Sequence, residues 1–384
     1  MKKFFGYIRN TIVVLGLLYV TSMFVDIRVE GVPLNSIYET AAKETYKFVE
    51  DLIDRIRKEP EVTELVIVRN DEGQYVFTTN IKNVSKDELI SITIQGVTYT
   101  EFEIVSKRTS IEVKFIASVT FEPGEANKQF TVNSIRYIRN DTEHVLNANV
   151  IGNAFKSIDL AIVEAKKNSV IGIYNCNQGE FTTTCSSWGS GVIFDRDSRQ
   201  VTQGLITFTE YDYYIITNAH VVEGGSIFRI YYNSQELNDR ATLVGKYTVD
   251  TDLAILKLTT RAQLVVLADD QFDTFEAVPV YQGQTVFSIG SPGGPENFNT
   301  VKEGTVTALN VPISLGEDSE LCQSTCSSFQ TNAALGAGSS GGAMFDSAGN
   351  LIGIHFAGNA ENTISSEIPM SKVFEAIAAI LNQD

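Results

Sequence analysis

The sequence predicts a mostly β protein in which a small β-sandwich precedes a pair of β-barrels. Two observations predict it. From about residue 61 onwards, apolar residues alternate with polar ones at a period of two, which is the pattern of strands with one buried face. Glycine-containing turns separate these short strands at the spacing of sandwiches and barrels. We divide the 384 residues into segments 1–30, 31–59, 60–150 and 151–384.

The charge of the chain narrows the class of partner. Asp and Glu number 47 against 30 Lys and Arg, so the formal charge is −17. Most of this charge lies in residues 157–384, which hold 26 acidic and 11 basic side chains. Because so acidic a surface repels phosphate backbones, we expect no nucleic-acid partner. The negative field suits either solubility alone or the steering of basic substrates.

Residues 1–30 have the pattern of an export signal. Basic residues at positions 2, 3 and 9 precede an uncharged apolar run from Thr11 to Val25. As a helix this run rises about 22 Å, less than the roughly 30 Å hydrocarbon core of a bilayer. Two interpretations stay open: a signal-anchor, which we favour because no Ala-x-Ala-like site follows, and a cleaved signal peptide. We therefore expect membrane anchoring with the rest of the chain outside the cytoplasm, or secretion if residues 1–25 are removed.

The next two segments predict a helix and a spacer. Ser36 and Glu39 have the spacing of a capping box, and apolar residues three or four apart predict an amphipathic linking helix to about Lys58. Such a helix packs on a neighbouring domain or self-associates, so homo-oligomerisation stays open. Residues 60–150 predict an antiparallel sandwich that resembles, in pattern only, the immunoglobulin-like modules of bacterial surface proteins.

The four cysteines form two pairs of near neighbours, Cys176 with Cys185 and Cys322 with Cys326. By count alone, three pairings are open. A zinc site would need tighter Cys-x-x-Cys spacing or nearby histidines, and the three histidines of the chain lie near neither pair. Two local disulfides are therefore the better interpretation outside a reducing cytosol. We expect no metal and no cofactor.

The candidate chemistry lies in separated parts of residues 151–384. One apolar strand ends in His220, Asp252 opens a second apolar strand, and Ser340 lies in a glycine-rich turn. Serine is a weak nucleophile until a base takes its proton, and the base needs an acceptor that holds its tautomer. The backbone N–H groups of Gly338 and Ser340 are the candidates for an oxyanion hole, because glycines allow the required turn.

These segments resemble the trypsin-fold serine proteases of the Deg/HtrA type. The matching elements run in family order over about 200 residues: Gly189–Gly191, Thr217–Val222, Asp252–Lys257, Gly290–Gly294, Gly304–Val306, Gln330–Ala334, Gly338–Gly342 and Ile368–Pro369. The resemblance implies a chymotrypsin-like double β-barrel with His220 as general base, Asp252 as orienting carboxylate and Ser340 as nucleophile. In the family motifs the carboxylate is followed by Leu-Ala and the nucleophile by Gly-Gly. This spacing favours Asp252 over Asp250, and Ser340 over Ser339.

The resemblance also bears on specificity and on regulation. In this fold the residue six before the nucleophile, here Ala334, lines the primary specificity pocket, and His355 and Ala357 are further candidates for its wall. Because no acid stands at Ala334, we expect cleavage after small or medium apolar residues. The chain ends soon after an apolar helix, so we expect no C-terminal PDZ domain of the kind that many family members carry.

Together these features predict a membrane-anchored, extracytoplasmic serine endopeptidase. Its expected substrates are unfolded or damaged polypeptides, cleaved through an acyl-enzyme without a metal. The alternative is a catalytically silent, protease-like surface protein that binds a partner through its β-sandwich.

Overall fold

The computed structural model describes residues 58–107, 109–179, 182–313, 321–322 and 325–381, together with 28–29, 32–33 and 43–44. The expected membrane segment lies outside these residues, apart from two residues at its end. Most of the expected linking helix lies outside them too. Within the described residues, no helix is both long and apolar enough to span a bilayer.

Two compact units divide the chain. One includes Val76–Ile116 and Thr131–Ile151, and the other includes Ile67–Tyr75, Ala117–Phe130 and the chain from Gly152 onwards. The segments that hold His220, Asp252 and Ser340 all belong to the second unit. Two short stretches of this unit, Ile67–Tyr75 and Ala117–Phe130, lie within residues 60–150, which the sequence pattern assigns to the sandwich.

Ten strands lie before residue 156 in the described part of the chain. They are β1 (Arg28–Val29), β2 (Val32–Pro33), β3 (Glu61–Arg69), β4 (Tyr75–Lys82), β5 (Leu89–Ile94), β6 (Val97–Tyr99), β7 (Glu103–Ser106), β8 (Ser110–Ala117), β9 (Asn127–Arg139) and β10 (Thr142–Phe155). β1 and β2 pair with each other, and the other eight form two four-stranded sheets, in the orders β3-β4-β8-β7 and β10-β9-β5-β6.

The period of two accounts for the packing of these sheets. Along β8, alternate residues are buried, among them Val113 and Phe115. Phe115 stacks on Phe77 of its own sheet, and its ring lies 4.5 Å from that of Tyr99 in the other sheet. The two sheets therefore share aromatic contacts, as a sandwich requires. The likeness to immunoglobulin-like modules stays a prediction.

The second unit is built on two closed six-stranded barrels. The first has the order β11-β12-β13-β16-β15-β14 and the second β17-β18-β19-β22-β21-β20. Their strands are β11 (Val170–Gln178), β12 (Thr183–Gln203), β13 (Ile206–Thr217), β14 (Ile227–Tyr232), β15 (Gln235–Tyr247), β16 (Leu253–Thr260), β17 (Thr285–Gly290), β18 (Thr300–Ile313), β19 (Cys326–Thr331), β20 (Ala343–Asp346), β21 (Leu351–Gly358) and β22 (Ser365–Pro369). The predicted mostly β, trypsin-like fold is confirmed.

The barrels meet across a shared apolar core, and this core positions the site. Val192 and Ile216 of the first barrel belong to the same buried cluster as Phe287 and Ile289 of the second. Loops at the ends of these strands are therefore held close together. Three helices accompany the barrels: α1 (Leu160–Lys167), α2 (Gln271–Thr274) and α3 (Met370–Leu381).

The last helix covers both barrels with one apolar face. Its buried residues recur three or four apart, from Met370 to Ile380, and belong to the shared core. α3 contacts β15 and β16 of the first barrel and β21 and β22 of the second. Gly245 on β15 makes this approach close, because an added Cβ there would lie 2.7 Å from Ile380.

Candidate active site

His220 lies just after the end of β13, where a single 3₁₀ turn, His220–Val222, begins. Thr217 and Asn218, immediately before it, are fully buried. The Asn218 side-chain amide donates to the Asp252 carbonyl oxygen at 2.9 Å, which holds the two loops together. The imidazole is about one third exposed, so a substrate can reach it.

Asp252 is fully buried and uses both carboxylate oxygens on His220. Oδ2 lies 2.5 Å from His220 Nδ1, and Oδ1 accepts the His220 backbone N–H at 3.0 Å. A carboxylate at Nδ1 holds the ring in the tautomer that leaves Nε2 free to take a proton. Asp250 instead forms an ion pair with Lys372, with 2.7 Å between Oδ2 and Nζ. The structure therefore brings Asp252, and not Asp250, to His220.

Ser340 lies in the tight turn between β19 and β20. Its neighbour Ser339 is 8% exposed and donates its hydroxyl to the Gly336 carbonyl oxygen at 2.6 Å. In the described part of the chain, the Ser340 hydroxyl makes no hydrogen bond, either to His220 or to another group. Catalytic hydrogen bonds are often long in the absence of substrate and tighten only when it binds. Ser340 is the turn serine whose hydroxyl is free to react.

The turn leaves two backbone donors unused next to Ser340. No described residue accepts a hydrogen bond from the N–H of Gly338 or of Ser340, whereas Ser339, Gly341 and Gly342 all donate. Gly338 has a φ of +95°, and an added Cβ would lie 2.8 Å from the Gly293 nitrogen. Only glycine fits this position without strain. Two free N–H groups beside a free hydroxyl are the donors that a developing oxyanion needs.

Ser190 fastens this turn to the first barrel, and sequence reasoning assigned it no role. Its hydroxyl donates to the Gly338 carbonyl oxygen at 2.9 Å and accepts from the Ser291 N–H at 3.0 Å. Its backbone N–H donates to the Ser340 carbonyl oxygen at 2.7 Å, and its carbonyl accepts from the Thr217 hydroxyl at 2.7 Å. Ser190 therefore connects the turn that carries Ser340 to the strand that leads to His220. The feature of the sequence that could have indicated this role is the position of Ser190 between Gly189 and Gly191.

A cavity of about 570 Å³ has Ser340 in its lining. Its walls come from the turn before Ser340 and from the hairpin of β21 and β22. All three residues that the sequence assigned to the specificity pocket, Ala334, His355 and Ala357, line it. Among the described residues, its lining includes no Asp or Glu side chain.

Behind His355 lies a buried carboxylate that sequence reasoning missed. Glu367 on β22 is fully buried, and one of its oxygens is hydrogen-bonded to His355 Nδ1. The other oxygen accepts from the Thr331 hydroxyl at 3.4 Å. His355 Nε2 is buried and has no hydrogen-bond partner. The two residues are 12 apart in sequence, and only the pairing of β21 with β22, which puts His355 opposite Glu367, reveals their contact.

Both predicted disulfides are found. Cys176 and Cys185 join neighbouring positions of β11 and β12, and Cys322 and Cys326 close a five-residue loop. No free cysteine occurs among the described residues. Each bridge links residues that are near in sequence, so both brace loops and do not connect distant parts of the fold.

The chain resembles known proteins over this unit. Residues 189–354 match the family described as trypsin-like peptidase domain. The chain is 31% identical over 229 residues to the serine protease Do-like HtrB of Bacillus subtilis, with 56% of this chain and 44% of that protein covered. It is 29% identical over 250 residues to the serine protease Do-like HtrA of Lactococcus lactis subsp. cremoris, with 62% and 55% covered.

Among solved structures, the serine endoprotease from Yersinia pestis is 22% identical, with a TM-score of 0.43 and coverage of 60% of this chain and 69% of that one. The chain spans about half the length of the curated relatives that it matches. The match of residues 189–354 to the trypsin-like peptidase domain supports the trypsin-like fold, and the chain is similar to serine proteases of the HtrA type.

Proposed function

We propose that the chain is a serine endopeptidase that cleaves polypeptides through an acyl-enzyme, with His220, Asp252 and Ser340 as its catalytic residues. One observation carries the proposal: the buried Asp252 carboxylate holds His220 at Nδ1, while the nearby turn presents the Ser340 hydroxyl with two unused N–H groups. The names of the relatives, all serine proteases, support the same activity.

In this proposal Ser340 Oγ attacks the carbonyl carbon of the substrate and gives its proton to His220 Nε2. The N–H groups of Gly338 and Ser340 bind the oxyanion of the tetrahedral intermediate. As the intermediate collapses, His220 returns the proton to the leaving amine, and the acyl group stays on Ser340. A water molecule then attacks the ester, with His220 again as base, and releases the acid product.

Reaction with a fluorophosphonate tests this assignment, because the reagent phosphonylates only an activated serine. We expect the wild-type chain to be labelled and Ser340→Ala to stay unlabelled, both in the presence of an unfolded protein substrate. Ser339→Ala is the matched control, since the Ser339 hydroxyl is bound to Gly336, and it should still be labelled. Equal labelling of wild type and Ser340→Ala would refute Ser340 as the nucleophile, and no labelling of wild type would favour the catalytically silent binding protein.

We further propose that the protease unit works outside the cytoplasm, held at the membrane by the N-terminal apolar run, with the sandwich as a spacer. Two disulfides support an oxidising compartment. The basic residues before the run support export. Digestion of intact cells by an added protease tests the proposal: the protease unit should be degraded while cytoplasmic markers survive. The mass of the membrane-bound form distinguishes an anchor from a cleaved signal.

A further inference from the structure

His355 and Glu367 form a buried acid–base pair next to Ser340. The His355 side chain is 3% exposed and that of Glu367 is fully buried. Within the described residues, His355 is the one basic group in contact with the Glu367 carboxylate, and Thr331 supplies its other hydrogen bond. Unlike His220, which is one third exposed, the His355 ring is almost fully buried, so a net charge on this pair would be costly and a pair without net charge is favoured.

Two arrangements of protons give the pair no net charge. In one, an ionised Glu367 accepts from a protonated imidazolium, which carries a proton on both ring nitrogens. In the other, a protonated Glu367 donates to Nδ1 of a neutral imidazole, whose proton is then on Nε2. Both arrangements put a proton on Nε2 of His355. This nitrogen is buried and has no partner among the described residues, and His355 lines the cavity, so a substrate group that reaches Nε2 would find an unused hydrogen-bond donor.

A cation contacts two residues of the cavity lining. Lys302 Nζ donates to the carbonyl oxygens of Ala334, at 2.8 Å, and Asn362, at 3.3 Å, and both of these residues line the cavity. In the described part of the chain, Lys302 has no carboxylate partner. Besides Glu367, which is paired with His355, the exposed Glu361 contacts the lining, where it accepts from the Asn359 amide. Among the described residues, the lining thus has no carboxylate of its own, and the Lys302 cation contacts it from behind two backbone carbonyls.

The lining also leaves room for a side chain. Ala334, Ala357 and Gly358 present small groups to the cavity. A lysine or arginine entering it would find no carboxylate, and a leucine would leave His355 Nε2 without a partner. A carboxylate would accept from that nitrogen and would be attracted by Lys302.

We propose that this cavity receives the acyl-side residue of the substrate, the one whose carbonyl Ser340 attacks, and that it selects glutamate or aspartate there. The inference rests on the proposed function, since only a protease has an acyl-side residue. It replaces the apolar preference expected from Ala334 alone. His355 is the specificity-determining residue, and Glu367 is a positioning residue that keeps the proton on Nε2.

The test uses peptides that are identical except for the acyl-side residue, which is Glu, Gln, Leu or Lys. With the wild-type full chain, we expect kcat/KM for Glu to exceed that for Leu about 100-fold, and Lys to be the poorest of the four. Gln should fall between Glu and Leu, because its oxygen accepts from His355 but carries no charge for Lys302 to attract.

Two variants and one control separate the contributions. Glu367→Gln keeps the size of the side chain but replaces the carboxyl by an amide that either donates to Nδ1 or accepts from it, so the proton on Nε2 is no longer fixed and no imidazolium is balanced; the Glu-to-Leu ratio should fall about 10-fold. Lys302→Met should lower the Glu-to-Gln ratio. Lys246→Met, which removes an exposed lysine from β15, should leave both ratios unchanged.

A preference for Leu or Lys, or equal rates for Glu and Leu, would overturn the inference in the wild-type chain, whether or not any variant folds. Equal rates for Glu and Gln would overturn the assignment of a carboxylate. These outcomes differ from failure of the proposed function, in which no peptide is cleaved and no fluorophosphonate label is incorporated.

Discussion

The Ser190 hydroxyl donates to the carbonyl oxygen of Gly338 at 2.9 Å, across the boundary between the two barrels. The donor is in β12 of the first barrel, and the acceptor belongs to the turn that carries Ser340 in the second. The same hydroxyl accepts from the buried Ser291 N–H. One side chain therefore ties the candidate oxyanion turn to the barrel that supplies His220 and Asp252.

Replacing Ser190 by alanine should lower kcat, because the Gly338 carbonyl loses its donor and the turn is no longer held. We expect a loss of about 10- to 100-fold in kcat, and about 1–3 kcal/mol of stability from the unpaired Ser291 N–H. Peptide kinetics and urea unfolding measure the two effects. Ser187→Ala, at an exposed position of the same strand, is the control. Unchanged kcat in Ser190→Ala would show that the turn holds its shape without this bond.

Asp252→Asn should abolish most of the activity while leaving the fold intact. An amide in place of the carboxylate favours the wrong tautomer of His220, and the same replacement in an established serine protease triad lowers kcat by about 10⁴-fold. Asp250→Asn is the matched control: it removes only the ion pair with Lys372, so kcat should stay within about 2-fold. Similar losses in both variants would argue against Asp252 as the orienting group.

Gly338→Ala tests the oxyanion turn. An alanine there would be strained at a φ of +95° and would press on the Gly293 nitrogen and the Ser291 oxygen, which would move one donor. Losing one such donor lowers kcat by about 10²- to 10³-fold. Gly204→Ala has the same kind of strain, at a φ of +65°, but meets nothing within 4 Å. This control should lose some stability and keep its kcat; a parallel loss of kcat there would mean that backbone strain alone explains the effect.

The stability of the first barrel should depend on pH through Glu236. Its hydrogen bonds from Arg229, which lies on the neighbouring strand, lower the pKa of Glu236 below its ordinary value of 4.5. A carboxyl with a depressed folded-state pKa stabilises the fold above about pH 4.5, and this stabilisation is lost as the pH falls through the folded-state value.

Glu236→Gln should therefore cost about 1 kcal/mol at pH 7 and much less at pH 3. Urea unfolding at the two pH values measures the difference. Glu276→Gln, at an exposed position, should show no cost at either pH. A cost of equal size at pH 7 and pH 3 would contradict the role of the Glu236 charge.

The positions of strands along the chain and the candidate triad could both be predicted from local sequence patterns. Polar and apolar residues alternate along Ser110–Ala117, and Leu253–Leu258 is a nearly continuous apolar run. These two patterns indicate which faces of each strand are buried, so both strands can be recognised from the sequence. His220, Asp252 and Ser340 could be named because each lies in a short motif whose neighbours are adjacent in the chain. Asp252 could be chosen over Asp250 because only Asp252 is followed by the Leu-Ala pair of the family motif.

What the tertiary structure decided is where groups from different strands meet. The partnership of Ser190 with Gly338 spans 148 residues, and that of Lys302 with Ala334 spans 32, so no local pattern reports them. His355 and Glu367 meet only because β21 and β22 pair in one register. The sequence by itself determined the fold class and the candidate catalytic residues, whereas the buried contact of His355 with Glu367, and with it the chemistry that we propose for the pocket, exists only once the barrel has closed.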